Sequence, residues 1–259
     1  MNILNRIITH KKQEVEVRKG MMPEEALKES IYFNRECLSL KNSLLKDNAS
    51  GIIAEFKRKS PSKGFINQHA DVASVTNAYT IAGASGLSIL TDHEFFCGNN
   101  EDLIAARGND IPILRKDFIV DSYQITEAKA IGADVVLLIA ACLSKNEVMN
   151  LSSFAKHLGL EVLLELHEES ELEHICSSID IVCINNRNLK TFKVDIQNSI
   201  RLSKQIPDDK LKIAESGISN ASDINIFKDA GYKGFLIGEN FMKEKHPGLA
   251  LENFIKEIQ

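Results

Sequence analysis

Eight short apolar runs recur along this chain, and almost every one closes on a polar or charged residue. They read Ile52-Ile53-Ala54, Leu87-Ser88-Ile89-Leu90, Ile113-Leu114, Val135-Val136-Leu137-Leu138-Ile139, Val162-Leu163-Leu164, Ile181-Val182-Cys183-Ile184, Leu211-Lys212-Ile213-Ala214 and Phe235-Leu236-Ile237. The residues that close them are Glu55 and Lys57, Thr91 and Asp92, Lys116 and Asp117, Glu165, Asn185 and Arg187, Glu215 and Ser216, then Gly238 and Glu239. Runs this short and rich in Val and Ile fit strands covered on both faces. Ionisable groups gathered at C-terminal strand ends are what the working face of a (β/α)8 barrel requires. One pattern therefore points to both an architecture and a place for chemistry.

Between the runs the apolar spacing is helical. Val72, Val75, Ala78, Tyr79 and Ala82 follow the i, i+3, i+4, i+7 rule, and Ile125, Ala128 and Ile131 follow it less fully. Several of these helices stop at Gly just before the next run: Ala82-Gly83, Ile131-Gly132, Leu158-Gly159 and Ala230-Gly231. Gly supplies the left-handed conformation that ends a helix. Asp121-Ser122 marks a helix start, and Ser144 with Glu147 fits a capping box. From Gly51 onward, eight strand–helix units take roughly 26 residues each, near the minimum for a βα pair with short loops. A doubly wound open sheet would want a glycine-rich phosphate loop after its first strand. Here that position reads Lys57-Arg58-Lys59-Ser60-Pro61-Ser62. The expectation is an α/β fold, a (β/α)8 barrel over residues 51–259. Residues 1–50, with an apolar face of Ile3, Leu4, Ile7 and Ile8, form an N-terminal helical extension of one or two helices. It either covers the mouth of the barrel or caps its bottom.

Composition narrows the function classes. At 259 residues and 44% hydrophobic the chain can bury one barrel-sized core. A net charge of −5 gives no electrostatic footprint for nucleic acid. The exception is the cluster Lys57-Arg58-Lys59 with Lys63, which taken alone also reads as a solvated surface patch. Five cysteines, odd in number and without a C-x-x-C pair, fit buried thiols in a reducing cytosol. No apolar run approaches membrane-spanning length, and the basic start of the chain lacks the apolar core of a signal peptide. The expectation is a cytoplasmic protein with no membrane contact.

Side chains alternate along a strand, so Glu55 and Lys57 share a face, as do Asn185 and Arg187. A Lys beside a carboxylate in a barrel mouth is a structural ion pair or an acid–base tool. Burying such a pair costs desolvation energy that stability alone seldom repays. Lys116, Glu165 and Glu215 end the third, fifth and seventh strands and can face the same cavity. Five ionisable groups at the strand ends of one barrel weigh toward catalysis. Ser216-Gly217 and Gly238-Glu239 follow strands seven and eight, where such barrels commonly hold a phosphate on backbone N–H groups. Ordinary turn glycines are the alternative. The seven histidines show no metal-ligand spacing, and His167 reads as a rim residue. Phe95, Phe96 and Phe118 are core residues or an apolar wall for a flat ring.

These pieces resemble the signature of the indole-3-glycerol-phosphate synthase family. The motifs are Ile53-Ala54-Glu55-Phe56-Lys57-Arg58-Lys59-Ser60-Pro61-Ser62-Lys63-Gly64, Leu114-Arg115-Lys116-Asp117-Phe118, Leu164-Glu165, Ile184-Asn185-Asn186-Arg187-Asn188-Leu189, Glu215-Ser216-Gly217-Ile218 and Leu236-Ile237-Gly238-Glu239. They run in order through the whole barrel, and an N-terminal extension is also a feature of that family. The resemblance implies a cofactor-independent conversion of 1-(2-carboxyphenylamino)-1-deoxyribulose 5-phosphate to indole-3-glycerol phosphate, with loss of carbon dioxide and water. It implies Lys116 as general acid on the ketone oxygen, Glu165 in proton removal and dehydration, and Lys57 as a second candidate acid. Glu55, Asn185 and Glu215 become an orienting and electrostatic shell. Ser60, Arg187, Ser216, Gly217, Gly238 and Glu239 fall at substrate phosphate and polar contacts, and Phe96, Phe118 and Leu137 wall the aromatic ring. The implied partner is a small phosphorylated substrate; contact with other tryptophan-pathway enzymes is left open. Two positions depart from the family, Cys97 and Cys183, each standing where glycine is more usual. The rivals are phosphoribosylanthranilate isomerase, a similar but shorter barrel, and a non-catalytic phosphosugar-binding barrel.

Overall fold

The computed structural model describes residues 3–188 and 193–258. Each apolar run is a strand: β1 Ile52–Phe56, β2 Gly86–Leu90, β3 Ile113–Lys116, β4 Val135–Ile139, β5 Glu161–Leu166, β6 Ile181–Asn185, β7 Leu211–Glu215 and β8 Gly234–Ile237. All neighbours are parallel and the sheet closes, with Ile53 of β1 beside Leu236 of β8. The expected (β/α)8 barrel is therefore the fold. Alternation splits each strand between two cores. Ile53, Leu114, Leu137, Leu163, Cys183, Ile213 and Leu236 fill the barrel, while Ile52, Leu87, Val136, Leu138, Val162 and Leu164 pack under the outer helices.

Those helices are α4 Val72–Ile81, α5 His93–Phe96, α6 Asn100–Ala106, α7 Ser122–Ala130, α8 Lys145–His157, α9 Ile196–Ser203, α10 Ala221–Asp229, α11 Glu239–Met242 and α12 Pro247–Ile258, after three in the extension, α1 Ile3–Met21, α2 Glu24–Lys28 and α3 Leu40–Leu44. The local signals act where expected. Gly83, Gly132, Gly159 and Gly231 all have positive φ after their helices, and Ser144 and Glu147 close a full capping box on α8. The fifth crossover departs from the strand–helix repeat, carrying only a 3-10 turn over Glu169–His174. Glu168, Glu169, Glu171 and Glu173 crowd that segment, and like charges at i, i+3 and i, i+4 oppose an α-helix.

The extension does both of the things expected of it as alternatives, and with three helices. Helix α1 crosses the mouth, pinned by buried Lys11, whose Nζ lies 3.0 Å from Asp92 and 2.9 Å from Asp117 at the ends of β2 and β3. Helix α3 plugs the bottom, where Leu40 and Leu44 join the barrel-interior core. Glycine at the head of β2 makes room for this plug: a Cβ on Gly86 would meet Leu40 at 2.6 Å. Among the described residues, no helix is long and apolar enough to cross a membrane.

Candidate active site

A cavity of about 360 Å³ opens at the C-terminal ends of the strands. Fifteen of the residues singled out from the sequence line it: Lys116, Glu165, Lys57, Glu55, Asn185, Glu215, Ser60, Arg187, Ser216, Gly217, Gly238, Glu239, Phe96, Phe118 and Leu137. Strand closure brings them together. Lys116 reaches across from β3, placing Nζ 3.1 Å from Glu165 Oε2 on β5 and 3.1 Å from Glu215 Oε1 on β7. Asn185 of β6 stands between the two carboxylates, with Nδ2 donating to Glu165 Oε1 at 3.2 Å and to Glu215 Oε1 at 3.4 Å. At the end of β1, Lys57 Nζ pairs with Glu55 Oε1 at 2.5 Å, as two residues on one face can.

Burial and neighbours drive the two Lys116 carboxylates apart. Burial raises Glu215 to about 7, with Glu165 and Glu55 pushing the same way against the pull of Lys116. Glu165 is equally buried, yet Lys116 and His167 hold it well below the usual carboxylate range. Burial opposes the charge on Lys116, but Glu165, Glu215 and Glu55 keep it protonated well above the ordinary lysine value. The mouth thus holds a charged acid, an ionised carboxylate and a second carboxylate that titrates near neutrality, the separation that acid–base chemistry uses.

The two phosphate-type loops are both tight, and the first is strained at Ser216. Ser216 and Gly217 each have φ of 71°, and a Cβ on Gly217 would strike Val194. At Gly238 a Cβ would come within 2.9 Å of Glu55 Cβ, so glycine there is what lets Glu55 occupy its place. Helix α11 begins after Gly238, and the first N–H groups of a helix lack intrahelical acceptors. The Glu239 carboxylate itself pairs with Lys63 at 3.5 Å, joining the β1 and β8 loops across the mouth. Phe96 and Phe118 stack at 6.1 Å with a 38° tilt to form the apolar wall.

Several sequence readings change. The basic cluster is no single patch: Arg58 turns away to Asp102 at 2.8 Å, while Lys57 and Lys63 take the separate carboxylates named above. Phe95 packs edge-on against His10 rather than on the cavity. His167 is part-buried behind Glu165 instead of standing open on the rim, with Nε2 3.2 Å from Glu165 Oε1. Cys183 places Sγ 3.6 Å from Glu215 Oε2, directly under the site. Leu189 of the β6 motif lies outside the described residues. The cavity also takes Ile3, Leu4 and Ile7 from α1, and Asn240 and Lys243 from α11 and its end. The apolar i, i+4 face of residues 3–7 was the signal for the former; nothing local marks Lys243. Among the described residues, no group of three or more His, Cys, Asp or Glu is placed to hold a metal ion.

Fold and mouth together define a (β/α)8-barrel whose ionisable groups converge at the C-terminal strand ends, the place where such barrels work. A family model described as indole-3-glycerol phosphate synthase matches residues 4–254. The chain belongs to the indole-3-glycerol phosphate synthase family, carbon–carbon lyases of tryptophan biosynthesis. It is similar to the indole-3-glycerol phosphate synthase of Bacteroides thetaiotaomicron, 50% identical over 259 residues that cover 100% of this chain and 99% of the relative. That of Burkholderia vietnamiensis is 42% identical over 255 residues, covering 96% and 97%. Among solved structures, a 3-hexulose-6-phosphate synthase superposes with a TM-score of 0.64 at 12% identity, covering 81% of this chain and all of its own. A tryptophan synthase alpha subunit from Legionella pneumophila gives 0.60 at 14% identity, covering 85% and 96%. At such identities these two share the fold alone.

Proposed function

We propose that the residues of this mouth carry out the family's reaction on 1-(2-carboxyphenylamino)-1-deoxyribulose 5-phosphate: ring closure, decarboxylation and dehydration to indole-3-glycerol phosphate. The observation that carries the reading is Lys116 poised between Glu165 and Glu215 on the wall of a cavity with an aromatic side. Phe96, Phe118 and Leu137 hold the anthranilate ring against this wall. The loops of Ser216-Gly217 and Gly238-Glu239, with Ser60 and Arg187, hold the phosphate and neighbouring hydroxyls at the other end.

Lys116 donates its proton to the ketone oxygen as the carboxyl-bearing ring carbon attacks the ketone carbon. The developing alkoxide is far more basic than an amine, so this transfer runs downhill even from a lysine whose proton is held tightly. Carbon dioxide then leaves from the ring carbon that made the attack, and the bonding pair restores the aromatic ring. In the last step the hydroxyl departs as water, with a proton from Lys57 or Lys116, while Glu165 accepts the proton lost from the adjacent carbon. Glu55 anchors Lys57, Asn185 orients Glu165, and Glu215 balances the charge of Lys116 as its proton moves. Each positioned acid or base is typically worth about 10² to 10⁴ in rate.

The test is to mix the purified chain with that substrate, in chelator and without added cofactor, and follow indole fluorescence. A rise proportional to protein concentration supports the synthase reading with no dissociable metal. Substrate binding by the folded chain without any rise would favour a binding barrel and overturn it.

A further inference from the structure

We propose that His167 is a positioning residue for this reaction: set between Glu165 and Glu171, it fixes the Glu165 carboxylate and keeps the negative charge around Lys116 on Glu165 rather than on Glu215. The proposal rests on the reading of Glu165 as the catalytic base.

His167 follows β5 by one residue, so it shares a strand face with Glu165. Its Nε2 lies 3.2 Å from Glu165 Oε1 and its Nδ1 3.6 Å from Glu171 Oε2. These are ion-pair contacts: neither ring nitrogen has a hydrogen-bond partner among the described residues, and each faces a carboxylate. A neutral imidazole would aim one lone pair at a carboxylate, so the geometry calls for the doubly protonated ring. Its backbone is tied on both sides: the His167 N–H donates to Glu171 Oε2 at 2.6 Å, and Asn198 Nδ2 of α9 donates to the His167 carbonyl at 3.1 Å. The ring does not line the cavity, so it acts through Glu165 and not on substrate.

This asymmetry separates the two carboxylates that share Lys116. Glu165 faces two cations, Lys116 on Oε2 and His167 on Oε1, whereas Glu215 faces Lys116, the Asn185 amide and the Cys183 thiol. The charged groups that face the ring are Glu165, with Lys116 behind it, and Glu171; Cys142, in the turn after β4, feels the same two carboxylates. Burial and the same two carboxylates push the Cys142 thiol up, leaving it neutral. Burial opposes the imidazolium, but Glu165 and Glu171 raise it to about 10, so it stays charged through neutral pH.

The experiment is the pH dependence of kcat and KM for the wild type, His167→Gln, Glu171→Gln and Glu165→Gln, each checked for folding by thermal melt. In His167→Gln, kcat falls about 10- to 100-fold with KM nearly unchanged, the size usual for a partner that orients a reacting group. Its acid limb moves to higher pH by about one unit or more, because a base that loses a nearby cation is protonated sooner. Glu171→Gln keeps the ring but removes one of the carboxylates that charge it, so its alkaline limb moves to lower pH. A folded His167→Gln with unchanged kcat and acid limb, while Glu165→Gln lacks turnover, overturns the proposal and leaves the role of Glu165 standing. If Glu165→Gln keeps near-normal turnover, the reading beneath the proposal is what fails. Should His167→Gln not fold, the alkaline limb of Glu171→Gln decides, and no shift overturns the proposal.

Discussion

Carboxylates at the two ends of the same eight strands, buried or part-buried, are treated in opposite ways. At the bottom, fully buried Asp134 accepts from Arg35 at 2.6 Å, Arg107 at 2.5 Å, and the backbone N–H groups of Leu38 and Ile113 at 2.8 Å each. Glu161 accepts from the Ser39 hydroxyl and from the Leu40 and Lys41 N–H groups at 2.8 and 3.0 Å, where α3 begins. Both carboxylates staple the extension to the barrel. At the mouth, Glu55, Glu165 and Glu215 share Lys57, Lys116 and His167, and burial together with the Glu165 and Glu55 charges pushes Glu215 up despite Lys116. A buried charge with every lone pair satisfied is inert, while one that is half satisfied is poised to change protonation. The bottom is built for stability and the mouth for proton transfer.

The largest effect should come from removing the central cation of the mouth. Lys116→Ala is expected to lower turnover by about 10² to 10⁴ while the melting curve changes little. His167 still faces Glu165, and Glu215 can take up a proton, so no second bare charge is stranded. An unfolded variant, or near-normal indole fluorescence, would sink Lys116 as the general acid. The mirror experiment at the bottom is Asp134→Asn, which keeps the shape but turns an amide NH2 toward guanidinium and N–H donors. Stability should fall by about 3 kcal/mol or more, read by denaturant unfolding, with kcat of the folded protein unchanged. A loss of kcat without a loss of stability there would erase the distinction between the two ends.

Much of this contrast was legible in the sequence because its signals are local. Strand-closing charges, helix-ending glycines and the Ser144–Glu147 cap each declare themselves within a few residues. Period-two alternation then puts Glu55 with Lys57 without any tertiary knowledge. The same rule pairs His167 with Glu165, two residues apart, but a single His on a loop carries no chemistry until Glu171 is known to fold back over it. The position of the extension was illegible for a different reason. Lys11 finds Asp92 and Asp117, and Leu40 finds the gap left by Gly86, only after the barrel has closed. Long-range ion pairs leave no periodic trace in either partner's sequence.

A smaller effect tests the poise of Glu215. Its folded value near 7 lies above the ordinary carboxylate value of 4.5, so between those limits the unfolded chain releases the proton first. The folded state then binds more protons, and the stability contributed by this group declines as pH rises from about 4.5 through 7. Glu215→Gln cannot ionise and should flatten that decline, measured as denaturation midpoints at pH 5 and pH 8. Equal slopes in both proteins would mean that Glu215 is compensated as fully as the carboxylates at the bottom.

The smallest expected effect asks whether backbone strain follows the same division. Among the described residues, three other than glycine have positive φ, Asn48 at 61° on the bottom, and Cys97 at 58° and Ser216 at 71° on mouth loops. Asn tolerates this region well, whereas a cysteine there costs roughly 1 to 2 kcal/mol. Cys97 ends α5, its N–H donating to the His93 carbonyl at 3.0 Å, so the conformation is fixed by the turn that carries Phe96 into the cavity. Glycine removes that strain but adds freedom to the unfolded chain worth about 0.5 to 1 kcal/mol. Cys97→Gly should therefore gain from a few tenths to about 1 kcal/mol by these opposing terms, and Asn48→Gly should gain nothing. Turnover should hold in both, since neither side chain lines the cavity. If Cys97→Gly instead loses stability, the packing of the thiol outweighs the strain, and the mouth is as well fitted there as the bottom.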